Sequence, residues 1–185
     1  MRHRGVHSLI MAEIKVKGLD ELQAFLDQLP AKVEANIMRA ALRAGAKPIL
    51  AAAKASVPVG EPSRKGAELY KHYSGALRDS IRVSARIDRR EGKVTASIKA
   101  GGKVGKTGAN VFYAHMVEFG TRPHSLSKNG KGEINHPGVS PRPFMRPALD
   151  ANAEAAIVGA GEYIKKRLAK KNGLDTAGIE IEVEE

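Results

Sequence analysis

The chain has 185 residues, a mass of 19.8 kDa and a formal net charge of +11, from 31 Lys and Arg against 20 Asp and Glu. It has no cysteine, which excludes disulfides, thiol catalysis and thiolate metal sites and fits a cytosolic origin. The length suits one domain with or without extended ends, and 4% aromatics with no Trp predict a thin core of Ala, Leu, Ile and Val that takes part of its burial from a partner or from copies of itself.

The charge is unevenly placed. Residues 1–90 carry 17 basic and 9 acidic side chains, residues 91–146 carry 9 and 3, and residues 147–185 carry 5 and 8. An acidic end beside a basic body fits contact between neighbouring subunits or within one chain. The basic excess also admits a nucleic-acid partner. No apolar run approaches the roughly 18 residues of a membrane span. Residues 1–10 lack an apolar core of signal-peptide length, and 1–11 are expected to be a flexible N-terminal extension.

Ile14 and Val16 alternate with Glu13, Lys15 and Lys17 as a short half-buried strand ended by Gly18. Asp20 is placed to cap a helix through Leu29, with Leu22, Phe25, Leu26 and Leu29 three and four apart. Pro30 stands at the start of a long Ala-rich helix carrying Val33, Ile37, Ala41, Ala44, Ile49 and Ala52. Pro48 is expected to bend or divide it near 44–47. Ala40, Ala41, Ala44, Gly45 and Ala46 permit close approach of another element, read as plain helix packing. Residues 57–75, with Pro58, Gly60, Pro62 and Gly66, read as a long loop. Ser74 then caps a brief helical turn whose Leu77 and Ile81 reach the core. Two alternating segments, 81–88 and 94–100, joined at Arg89 to Gly92, form the firmest hairpin, with a basic outward face.

Gly101 to Gly108 contains Gly-Lys-Thr, as a phosphate loop does. The glycine spacing is too short and Gly108 and Asn110 replace the required helix, so nucleotide hydrolysis is rejected in favour of a flexible basic hairpin tip. Residues 110–119 read as an extended lead turning helical and ending at Gly120, with Phe112, Met116 and Phe119 on one face. His115, Glu118 and His124 lack a recognised metal-ligand spacing, and Glu118 is expected to pair with a nearby Arg. Residues 123–141 are a polar loop stiffened by Pro137 and Pro141. The last helix runs from about Arg146 to Lys170, with Pro147 in its first turn, an apolar stripe from Leu149 to Leu168, and Gly173 as its stop. Ile179, Ile181 and Val183 alternate with Glu180, Glu182 and Glu184 as a candidate edge strand whose acidic face suits the basic hairpin. Three of the four Phe (Phe112, Phe119 and Phe144) fall between 112 and 146, so the polar loop there is pinned between two apolar anchors.

The fold class is therefore α/β in the α+β sense: a small antiparallel or mixed sheet packed by two long helices, with long loops. A single α+β domain is placed at 12–171, and 172–185 is a C-terminal tail and possible edge strand. Enzyme chemistry finds little support: Ser74 and Ser80 lack a nucleophile-elbow motif, and nothing in the sequence indicates positioned acid–base groups. No catalytic residue, cofactor or metal is expected. Nucleic-acid binding has the charge but lacks a helix-turn-helix, zinc ligands or aromatic interleaving.

Four segments carry a family resemblance: Val16-Lys17-Gly18-Leu19-Asp20-Glu21-Leu22, Ser74-Gly75-Ala76-Leu77-Arg78-Asp79-Ser80-Ile81, Tyr113-Ala114-His115-Met116-Val117-Glu118-Phe119-Gly120-Thr121, and Pro141-Arg142-Pro143-Phe144-Met145-Arg146-Pro147-Ala148-Leu149. Their order, spanning roughly 12–170, resembles the small neck, tail-completion or minor tail proteins of lambda-like long-tailed bacteriophages. The resemblance implies a structural virion protein at the head–tail junction, assembled in the host cytoplasm, with no catalysis and no membrane. It implies a homo-oligomeric ring, hexamer favoured; the 57–75 and 120–143 loops are expected to close that ring and to order only on assembly. Its partners would be neighbouring neck, tail-terminator or tail-tube proteins, with non-specific contact to passing DNA. Tyr113, Glu118, Phe119, Gly120, Thr121 and Arg122 match one signature segment and Arg142, Pro143, Phe144 and Arg146 a second, with roles in fold and ring geometry. Gly101 to Ala109 departs from the family toward a glycine-rich tip, and residues 172–185 lie beyond the resemblance. The alternative is a sequence-independent nucleic-acid-binding protein.

Overall fold

The computed structural model describes residues 16–127, 133–173 and 175–183. In chain order these hold β1 (Val16–Lys17), α1 (Leu19–Leu26), α2 (Ala31–Ser56), α3 (Arg64–Tyr70), α4 (Ala76–Ser80), β2 (Arg82–Asp88), β3 (Lys93–Lys99), β4 (Gly102–Val104), a 3-10 turn (Gly105–Thr107), β5 (Ala109–Val111), α5 (Ala114–Phe119), β6 (His124–Ser127), β7 (Glu133–His136), α6 (Met145–Asn172) and β8 (Glu182–Val183). The class is α+β, with small antiparallel sheets around two long packed helices. The strands pair as four separate antiparallel ribbons, β1–β8, β2–β3, β4–β5 and β6–β7. The expected N-terminal extension, and Glu13 to Lys15 of the first strand, lie outside the described residues.

Helices α2 and α6 are 26 and 28 residues long and pack against each other, each about 40 Å from end to end. Of the six buried positions of α2, Ile37, Ala41, Gly45, Ile49 and Ala53 fall one every four residues, with Ala46 beside them, the ridge that settles into a neighbouring helix's groove. At their crossing Gly45 is indispensable. A Cβ there would strike the Ala156 carbonyl and lie 3.1 Å from the Ala160 Cβ. The small-residue run thus does what its composition predicts. Pro48, however, does not divide the helix, which is continuous through it. One backbone donor is lost, but Ile49 and Ala53 stay in phase with Ala41 and Gly45, so the packed ridge holds the next turns in place.

Two apolar clusters lie at opposite ends of this pair. One joins Ile49, Ala53 and Val57 to Phe144 and Ala148, and to Ala76, Leu77, Ile81, Val104, Ala109, Val111 and Ala114. The other joins Ile37 and Ala41 to Ile164, Leu168, Leu22, Leu26 and Ile181. Among the described residues no helix is long and apolar enough to cross a membrane.

Several local expectations change. Asp20 and Ser74 cap nothing: Gly18 and Gly75 occupy the N-cap positions of α1 and α4, without a side-chain bond. Asp20 instead sits in the first turn of α1, where its charge is favourable. The 57–75 loop contains α3, whose Arg64 and Glu68 pair at 2.9 Å. The polar 123–141 segment contains the β6–β7 ribbon, extended by a bridge between Thr121 and Val139. The predicted β2–β3 hairpin forms with Arg82 opposite Lys99 and Asp88 opposite Lys93. The glycine-rich tip is the turn between β4 and β5, whose Val104, Ala109 and Val111 are core residues.

The C-terminal strand does not meet the basic hairpin. It pairs with β1, Val16 opposite Val183 and Lys17 opposite Glu182. Burial decides this rather than charge. Ile181 is buried over Gly161 and near Leu19, Thr176 is also buried, and the Lys165 ammonium donates to the Ile179 carbonyl.

Candidate functional site

Strand β5 delivers the chain to Tyr113, where α5 begins. On α5, Ala114 and Glu118 are buried, four residues apart, one above the other on the inward face. Phe112, Met116 and Phe119 therefore point outward and are 46%, 37% and 78% exposed. Of the two anticipated apolar anchors, only the Phe144 side is one: Phe144 is fully buried and Phe119 is the most exposed large apolar side chain among the described residues.

Glu118 takes the anchoring role through its carboxylate. Oε2 accepts from the backbone N–H of Phe144 at 2.8 Å and of Met145 at 3.0 Å, and Oε1 accepts from Arg146 N–H at 3.1 Å. These are first-turn donors of α6, which have no partners inside the helix. Phe144, at the N-cap, has no side-chain acceptor, so a carboxylate 26 residues earlier replaces it. Among the described residues Glu118 thus forms no ion pair with an arginine side chain. Burial pushes its carboxyl up, but the Met145, Phe144 and Arg146 N–H groups outweigh burial and hold it below the ordinary carboxylate value.

Backbone contacts complete the clasp. Arg142 N–H donates to the Val117 carbonyl at 2.8 Å, and Thr121 and Val139 exchange bonds of 2.9 and 3.1 Å. Gly120, at φ 71°, lets the chain fold back here: a Cβ would sit 2.8 Å from Pro141 N. The Thr121 hydroxyl is buried without a partner among the described residues.

Beside the clasp lies an open cleft of about 680 Å³. Pro58, Gly60, Glu61, Pro62 and Ser63 form one wall, and Tyr73, Tyr113, Met116, His124, His136 and Arg142 form much of the rest. His124 and His136 stack across the ribbon with centroids 5.0 Å apart. Tyr70, His72, Phe112 and Tyr113 form a ring cluster at one rim, with centroids 5.0–5.9 Å apart. Burial pushes the Tyr113 phenol up; burial, then the hydrogen bond it donates to Asp79 at 2.9 Å, does the same to Tyr73.

The ten residues matched on sequence are thus gathered into one region, with unlike surroundings. Glu118, Phe144 and Arg146 meet through the carboxylate. Tyr113 lines the cleft, and Gly120 and Thr121 make the fold-back. Arg122 is exposed, its carbonyl bonded to His124 Nδ1 at 2.9 Å. Arg142 contributes its backbone, Pro143 is exposed, and the Arg146 side chain lies 3.8 Å from Asp150. His115, Glu118 and His124 do not form a metal cluster, and none exists among the described residues. Sequence reasoning missed Tyr70 and His72 of the ring cluster. It also missed buried Ser80, whose hydroxyl accepts from Gly101 N–H at 2.8 Å and donates to the Leu77 carbonyl at 2.6 Å. The one available signal for the Glu118 cap was the lack of Ser, Thr, Asp or Asn before α6.

The fold and site thus define a mixed α+β scaffold with large apolar side chains exposed beside an open cleft. The family model HK97-gp10-like, described as "Bacteriophage HK97-gp10, putative tail-component", matches residues 20–120. The chain belongs to this family of phage tail components. The match runs from α1 through α5, so it includes Tyr113, Glu118, Phe119 and Gly120 and stops before the β6–β7 ribbon and α6. No curated protein and no solved structure matches.

Proposed function

We propose that the chain is a non-enzymatic virion protein of the head–tail junction, acting in the neck or in tail completion as a ring of its own copies, a hexamer. Neighbouring neck, tail-terminator or tail-tube proteins stack against that ring, which is built in the host cytoplasm and carried in the virion. The observation that supports self-assembly is the set of large apolar side chains left exposed on α3, on α5 and at the fold-back beside the cleft. Leu69, Phe119 and Val139 are 71%, 78% and 51% exposed, beside the Tyr70–Phe112 ring contact. Such side chains cost free energy in water and are retained where another surface covers them. The 57–75 and 120–143 segments flank this surface, and the Glu118 clasp sets the angle at which it is presented.

Light scattering at low and moderate salt, with and without the purified tail-tube end, tests the reading. A closed oligomer is expected, and Phe119→Ser is expected to lose it while melting at the same temperature. A monomer under every condition overturns the ring.

A further inference from the structure

The outward face of the β2–β3 ribbon lies outside the 57–75 and 120–143 segments through which the ring is proposed to close, and its chemistry points elsewhere. Alternation places Arg82, Ser84, Arg86 and Asp88 on that face, opposite Lys99, Ser97, Thr95 and Lys93. The turn adds exposed Arg89 and Arg90, and exposed Arg39 of α2 closes a depression with Arg86, Arg89 and Arg90. Among the described residues no carboxylate pairs with Arg86, Arg89 or Arg90: the ion pairs are Arg64–Glu68, Arg78–Asp79 and Arg146–Asp150. Asp88, the one acid among the strand residues of the face, accepts from the N–H groups of Arg90 and Glu91 at 2.9 and 3.3 Å and is occupied by the turn, where Glu91 is the one exposed acid beside Arg89 and Arg90. The acidic C-terminal strand, the obvious internal counter-charge, is held against β1. Arg82 is tied to the Ser80 and Gly101 carbonyls at 2.9 and 2.6 Å and serves the ribbon's base.

We propose that this ribbon is a binding site for the phosphate backbone of duplex nucleic acid, with Arg86, Arg89, Arg90 and Lys93 as principal contacts and Arg39 at the rim. Guanidinium groups fit phosphate as a fork, and hydroxyls such as that of Thr95 add donors without reading sequence. Two-stranded ribbons are accommodated by the major groove. Seven residues at about 3.4 Å each give a face about 24 Å long, close to seven base-pair steps. No aromatic side chain stands on the face to stack an unpaired base, which favours a duplex over a single strand. The site does not depend on whether the protein closes into a ring.

The test is the salt dependence of binding to a labelled duplex oligonucleotide, read by fluorescence anisotropy. Three variants are compared with the unaltered chain: the triple R86Q/R89Q/R90Q, Arg89→Gln alone, and a control that removes equal charge from the end of α6, K166Q/R167Q/K170Q. Each phosphate contact contributes about 0.9 to the slope of log K against log salt. The ribbon triple should lower the slope by about 2–3 and Arg89→Gln by about 1, while the control leaves it within about 0.5. Arg89 lies in the turn and is exposed, so the single variant keeps the test valid if the triple folds poorly. Equal losses from ribbon and control variants would reduce the effect to general charge and overturn the site. So would unchanged duplex binding in a ribbon triple that no longer binds a synthetic peptide of residues 175–185, which would make it an acidic-peptide site.

Discussion

The two ends of the α2–α6 pair solve the same packing problem by different means. At the end holding Ile37, Leu22, Leu26, Ile164 and Leu168, apolar side chains from three helices meet directly, and Ile181 closes the cluster from the residue before β8. No buried ionisable group takes part there among the described residues; Thr176 is the nearby polar group. At the other end Phe144 fills the centre, but the turn of helix that carries it is held by the Glu118 carboxylate. The first end needs only area. The second also needs charge and geometry, because it must fix a loop and a helix start beside the cleft. Stability at the cleft end should therefore respond to pH and to single-atom changes, whereas the far end should respond to volume alone.

The largest effects should come from emptying the two centres. Phe144→Ala should cost about 3–5 kcal/mol and Leu168→Ala about 2–5 kcal/mol, both residues being fully buried. Urea unfolding measures both. The comparison sharpens if Phe144→Ala also releases amide exchange protection at residues 145–150, while Leu168→Ala leaves those amides protected.

Glu118→Ala comes next. It strips the acceptor from three backbone donors in a place too buried for water to replace it freely, a loss of about 2–4 kcal/mol. Glu118→Gln keeps one carbonyl oxygen and should lose about half as much. An equal loss from both would make shape, rather than charge-assisted bonding, the cause.

Acid should act on the same end. The folded Glu118 pKa lies below its ordinary value, so the unfolded chain takes up the proton more readily. The carboxylate's contribution is complete above the unfolded value of about 4.3 and is lost as pH falls through the lower folded value. Thermal melts at pH about 6 and about 3 should show a smaller drop for Glu118→Gln than for the unaltered chain. Equal drops would mean that other carboxylates carry the acid response.

Legibility in the sequence follows from the range of the forces. The two long helices, the β2–β3 hairpin, the α5 stop at Gly120 and the α6 stop at Gly173 were readable, because each is written within about one turn or one strand of itself. The caps were misread at Asp20 and Ser74 because backbone glycines at 18 and 75 already supply the turn. Pro48 does not divide α2 because helix propensity is local while the Gly45–Ala156 packing that holds the helix across it is not. Outward placement of Phe119 was invisible for a similar reason: Phe112, Met116 and Phe119 form a good stripe, and only the carboxylate's three distant partners turn the opposite face inward. The β6–β7 ribbon has a single apolar residue in each strand, Leu126 and Ile134, too little for an alternation signal.

The smallest effect tests the far end's indifference to charge. Lys17 and Glu182 stand opposite each other in the β1–β8 pair, both exposed. Opposite charges so placed contribute about 0.2–1 kcal/mol, and like charges cost a similar amount. Glu182→Lys should therefore lower stability by less than about 1 kcal/mol, an amount that moderate salt removes. Ile181, one residue earlier, stays buried against Leu19 and Gly161 whatever the charge beside it, and it should keep the strand docked. If Glu182→Lys instead exposed the strand to proteolysis at moderate salt, the far end would depend on charge after all, and the contrast between the two ends would fail.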